Sequence, residues 1–189
     1  MPAERTYLPA MSPGSMTAEE LLHVRIPNKR TELVRGVLIV REPAGYTHGR
    51  VAANLTGKLS AHLEHTRTGQ LFAAETGFTL ARRPDTVRAP DIAFVRRERL
   101  LHPEPTGFPD LAPDLVVEVL SPDDRPGAVL AKIADWLSAG TRLVWVIDPG
   151  RRVARVYRAD GSEARVTADD ALDGEDVVPD FSCRLEGIL

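Results

Sequence analysis

A chain of 189 residues suits one compact domain, able to take roughly 70% of its unfolded surface out of water without a staple. Its single cysteine, Cys183, excludes an internal disulfide framework; no apolar run approaches the roughly 20 residues that span a bilayer, and no signal-peptide pattern opens the chain, so a cytoplasmic protein away from the membrane is expected. The net charge of −3 weighs against a surface built for indiscriminate polyanion binding, although arginine clusters at 82–83, 96–99 and 151–158 could supply a local basic rim.

Residues 1–16 read as a flexible arm and 17–189 as a single domain. Thr17-Ala-Glu-Glu20 has the spacing of a capping box, with Leu21, Leu22 and Val24 following as the packing face of a short helix that Pro27 ends. The β-rich runs around Glu32 and Val37 flank Arg35-Gly36, a tight hairpin turn. Thr47 is the expected cap of a long helix with Val51, Leu55, Leu59 and Leu63 at four-residue spacing, and Gly69 its expected end. From Gln70 to Leu80 the chain reads as one bent strand or two short ones broken near Gly77, followed by a turn at 82–86. Ile92–Val95 and Leu115–Leu120 are strands, the second lacking alternation as expected when both faces are covered. Helix 125–139, with Gly140 as its C-cap, strand Leu143–Ile147 and the alternating strand Val153–Tyr157 complete a mixed α/β sheet with helices on both faces.

Two acids stand out against this background. Asp91 opens one strand, and Glu118 lies inside the apolar run Leu115-Val-Val-Glu-Val-Leu120. A buried carboxylate costs several kcal/mol unless it is paired, protonated or bound to a metal. On neighbouring strands about 4.8 Å apart, two carboxylates can share one hard cation, Mg²⁺ or Mn²⁺, and no Cys/His cluster suggests zinc. Lys132 is one of only three lysines, with Lys29 and Lys58, among 24 basic residues. It falls about 40° from Trp136 on the second long helix, just outside the apolar stripe, where its ammonium can reach the sheet edge. Two acids and a lysine are the minimum for metal-assisted phosphodiester hydrolysis, and all three are expected to converge at one edge of the sheet. The competing reading pairs Glu118 with Lys132 or an arginine as a structural ion pair. Trp136 and Trp145 are expected in the core.

Pro90-Asp91, Glu118-Val-Leu-Ser121 and Lys132 together resemble the PD-(D/E)xK restriction-endonuclease-like superfamily. The stretches Glu32-Leu-Val-Arg-Gly36, Thr47-His48, Arg88-Ala-Pro-Asp-Ile-Ala-Phe94, Ala112-Pro-Asp-Leu-Val-Val-Glu118 and Trp145-Val-Ile-Asp-Pro149 are more closely similar to the Uma-two family of proposed endonucleases, a likeness running from about Thr17 to Tyr157. The resemblance implies an αβββαβ core with an N-terminal helix and β-hairpin, Asp91 and Glu118 as metal ligands, Lys132 as the signature lysine, and DNA as substrate. The superfamily usually places that lysine two residues after the glutamate, where Leu120 stands here, so the resemblance implies relocation to the helix. Glu32 and His48 also match family motifs, the first as an added carboxylate and the second as a hydrogen-bonding group for phosphate or water. Unpaired edges on the hairpin and C-terminal strands lead to the expectation of a homodimer. The alternative is a non-catalytic nucleic-acid-binding or assembly module that retains the fold.

Overall fold

The computed structural model describes residues 15–74 and 76–189; of the expected arm, residues 1–14 lie outside the described residues. In chain order the elements are α1 (Ala18–Leu21), β1 (Arg30–Val34), β2 (Val37–Arg41), α2 (Tyr46–Thr66), β3 (Gly69–Ala73), β4 (Phe78–Ala81), β5 (Thr86–Arg88) and β6 (Ile92–Arg96). There follow β7 (Leu115–Val119), α3 (Pro126–Ser138), β8 (Leu143–Asp148), β9 (Val153–Arg158), β10 (Glu163–Thr167), β11 (Ala171–Asp173) and β12 (Ser182–Arg184). They fall into two compact units, one drawn from the described parts of 1–43, 75–89 and 101–112, the other from 44–74, 90–100 and 113–189.

The first unit is a four-stranded sheet in the order β2-β1-β5-β4 with α1. The capping box forms as the spacing predicts, Thr17 accepting from the Glu20 N–H while the Glu20 carboxylate accepts from the Thr17 N–H. The hairpin turn places Arg35 at φ 49° and Gly36 at φ 77°, positive at both central positions as the tight two-residue loop requires. Ala18, Leu21, Leu33, Leu38 and Val87 make the unit's small core. The expected turn spans 82–85, and strand β5, which pairs with both β1 and β4, follows it where no strand is expected. Three residues are too short for periodicity to register.

The second unit is built on a six-stranded sheet ordered β10-β9-β8-β7-β6-β3, with β7 and β8 parallel and its other neighbours antiparallel. Strand β7 carries the logic of the layers. Leu115, Val117 and Val119 share a core with Val51, Leu55, Leu59 and Leu63 of α2. The alternation of a strand sends Glu118 to the opposite face, where it bonds to α3.

Several boundaries differ from expectation. The N-cap of α2 is Gly45, without a side-chain hydrogen bond, and Thr47 lies inside the helix. Glycine is acceptable at an N-cap, and the buried stripe begins at His48, one turn before Val51. The helix ends on Arg67, left-handed at φ 52°, and Gly69 instead opens β3. A Cβ at Gly69 would sit 2.3 Å from the Val95 carbonyl oxygen and 2.4 Å from the Phe94 ring, so close packing explains this glycine. The run from 70 to 80 is two strands, β3 and β4, which belong to different sheets. Ala139 occupies the C-cap of α3 and Gly140 follows at φ 106°.

Candidate active site

Four of the sequence-predicted residues come together in the second unit. Asp91 sits immediately before β6, and its backbone N–H donates to the Val117 carbonyl at 3.2 Å while its Oδ2 accepts from the Val119 N–H at 2.8 Å. The aspartate is thereby fastened to the two residues that flank Glu118. Its Oδ2 also lies 3.0 Å from Nε2 of His48. A carboxylate only accepts, so Nε2 carries the proton. Both side chains are buried, His48 at 8% exposure and Asp91 at 6%.

Burial alone would raise the Asp91 pKa. The His48 hydrogen bond and electrostatic pull, the Val119 N–H and the nearby Lys132 ammonium outweigh it, so the carboxyl is held below the usual aspartate range. These partners thus hold the carboxylate ionised against the opposing effect of burial.

Glu118 is held from α3. Its Oε2 accepts from the Lys132 ammonium at 2.8 Å and its Oε1 from the Trp136 indole N–H at 2.9 Å. Lys132 and Trp136 are four residues apart, hence on one helix face. The lysine stays partly open, with its side chain 13% exposed, whereas Trp136 is fully buried. Trp136 is therefore core, as expected, but it is also a donor to the candidate site. The sequence signal for that second role is its i+4 spacing from Lys132.

Glu32 stands in the first unit. It is buried at 4% exposure on β1, accepting from Nη1 of Arg88 at 3.0 Å and from the Ala89 N–H at 3.0 Å, with Nε of Arg41 at 3.6 Å. Cys183 is free, and burial raises its thiol pKa against the pull of Lys58, which leaves no activated nucleophile there.

As a metal site, the second unit offers two carboxylates. Among the described residues no group of three or more His, Cys, Asp or Glu side chains is gathered to hold an ion. Hard cations that retain several waters are bound by one or two carboxylates, so the all-oxygen pair of Asp91 and Glu118 fits such an ion and does not fit zinc.

Compared with protein families, the sequence matches the Uma2 family, described as "Putative restriction endonuclease", over residues 18–186. That match extends past the expected likeness and takes in the C-terminal strands. Among solved structures, the chain is similar to one described as a putative nuclease belonging to DUF820 from Anabaena variabilis ATCC 29413. The TM-score is 0.77 at 23% identity, covering 92% of this chain and 97% of that one, which establishes a shared mixed α/β fold. No curated protein matches the sequence. Among the described residues no helix is long and apolar enough to cross a membrane.

Proposed function

The chain belongs to the Uma2 family, and from that membership and the grouping of Asp91, Glu118 and Lys132 we propose that it is a metal-dependent endonuclease hydrolysing phosphodiester bonds in DNA. The observation that carries this reading is a pair of buried carboxylates, Asp91 immediately before β6 and Glu118 on the neighbouring β7, with a lysine ammonium beside them. Within the second unit, which leaves out β4 and β5, the order α2-β3-β6-β7-α3-β8 supports the restriction-endonuclease-like αβββαβ core.

Asp91 and Glu118 would hold Mg²⁺ or Mn²⁺. Such a cation, when bound, offsets phosphate charge and lowers the pKa of a coordinated water. Asp91 contributes a carboxylate kept ionised by His48 and the Val119 N–H. Lys132 contributes a positive charge on a flexible stem, able to turn from Glu118 toward charge developing on the phosphate or to orient the attacking water. His48 acts on this reading through Asp91. Glu32 satisfies Arg88 and the Ala89 N–H, and no part in the chemistry is proposed for it. The edge strands β2 and β10 support the reading that the protein acts as a homodimer.

One observation favours the non-catalytic module. Both oxygens of Glu118 are already engaged, by Lys132 and Trp136, and that arrangement is complete as a structural ion pair. Calorimetric titration of Mg²⁺ and Mn²⁺ into wild type, Asp91→Ala and Glu118→Ala, with DNA cleavage assayed on the same samples, separates the two readings. Binding and cleavage in wild type that vanish together in both variants are the expected result. Salt-sensitive DNA binding with no cation uptake and no turnover would establish the module instead.

A further inference from the structure

Two donors from α3 that hold Glu118, Lys132 and Trp136, are chemically unequal. Lys132 carries a charged, rotatable ammonium on a partly exposed four-carbon stem. Trp136 carries a neutral indole N–H that can only donate, on a ring locked by complete burial. The terminal torsion of a glutamate is broad and nearly two-fold, so one bond from a flexible lysine does not fix the plane of its carboxylate. A second bond from a rigid ring to the other oxygen does. Burial alone does not bring this about: the indole nitrogen of Trp145, equally buried in the same unit, has no hydrogen-bond partner among the described residues.

We propose that Trp136 is a positioning residue of the site, its indole N–H fixing the Glu118 carboxylate through Oε1 so that Glu118 stays aimed when Lys132 turns its ammonium away from Oε2. The helix α3 thereby divides two tasks between neighbouring turns. Trp136 is the fixed anchor, and Lys132 is the group whose flexible stem can turn toward a phosphate. The proposal rests on the reading of Glu118 as a cation ligand. It adds to that reading a cause for the ligand's orientation, in the manner of outer partners that hold a first set of ligands in place.

The test uses Trp136→Phe, which keeps an aromatic ring and removes the donor, and reads three quantities on the full chain. The first is Mn²⁺ affinity by calorimetry. A loss of about 10-fold or more is expected, the usual effect of removing such an outer partner, with cleavage recovering as Mn²⁺ is raised; affinity equal to wild type overturns the proposal. The second is Lys132→Met, expected to abolish cleavage while leaving Mn²⁺ affinity within about the same decade as wild type. A loss of Mn²⁺ affinity in Lys132→Met as large as that in Trp136→Phe overturns the division of tasks. The third needs neither metal nor activity. In ¹⁵N-indole NMR spectra of the metal-free protein, the resonance that disappears in Trp136→Phe is expected to shift in Glu118→Gln, while the Trp145 resonance stays. A Trp136 resonance unmoved by Glu118→Gln overturns the proposal even where Trp136→Phe fails to fold. Should wild type bind no Mn²⁺, the cation reading fails by itself, and the indole resonance still decides whether Trp136 holds Glu118.

Discussion

Asp91 and Glu32 are both carboxylates inside protein, but their partners differ in kind. Asp91 is tied to backbone on either side of Glu118 and to a histidine, whereas Glu32 answers a buried arginine, Arg88, which is 5% exposed. Removing one partner of a buried ion pair leaves the other charge without compensation, so Glu32→Ala should lower stability by about 3–5 kcal/mol in urea unfolding, with Mn²⁺ affinity unchanged in whatever fraction stays folded. A variant of wild-type stability that had lost Mn²⁺ binding would restore Glu32 to the site. At this scale the sequence was legible where a residue offended its surroundings. Glu118 in an apolar run and Lys132 among arginines both attract notice by contrast. Trp136 could not be found in that way, because a tryptophan on the buried stripe of a helix looks like core, and its indole donor becomes relevant only once Glu118 is placed opposite.

Helix α1 has only four residues, and its capping box is supplemented from far along the chain. The Asp85 carboxylate accepts from the Ala18 N–H at 2.9 Å, from the Arg83 N–H at 3.1 Å and from Nη1 of Arg82 at 3.0 Å. Burial acts to raise the Asp85 pKa, but these donors prevail and hold it below the ordinary value. A carboxyl depressed in the folded state contributes stability that is complete above its unfolded pKa, near 4, and that is lost as pH falls through the lower folded value. Asp85→Asn should therefore cost about 1–2 kcal/mol between roughly pH 5 and 7, with the gap from wild type closing below about pH 4, as read by chemical denaturation across that range. A gap that widened on acidification would contradict the assignment. Local chemistry made α1, the hairpin and α3 legible, since each carries its own start or stop signal. Strands β5, β11 and β12, with three residues each, carry none: β5 exists between its neighbour β4 and the distant β1, and β11 and β12 exist by pairing with each other.

Over the whole chain, the strands easiest to read are those the fold buries most. Every residue of β7 and the first five of β8 are buried, and the two strands stand at the centre of the six-stranded order. Native-state hydrogen exchange should accordingly find the slowest amides in Val116, Val117, Val144 and Trp145, with those of β2 and β10 at the sheet edges among the faster; the reverse order would mean that cooperativity resides elsewhere. What the sequence could not disclose is how its segments divide, because the chain alternates between the two units as 1–43, 44–74, 75–89, 90–100, 101–112 and 113–189. The alternation has a consequence during synthesis. Leu33 of β1 pairs with Val87 of β5, and once the hairpin is complete at Arg41, 87 − 41 = 46 residues must be added before that partner exists. At about 5–20 residues per second, the first hairpin waits on the order of 2–9 seconds beside the ribosome with a bare edge open to other nascent chains.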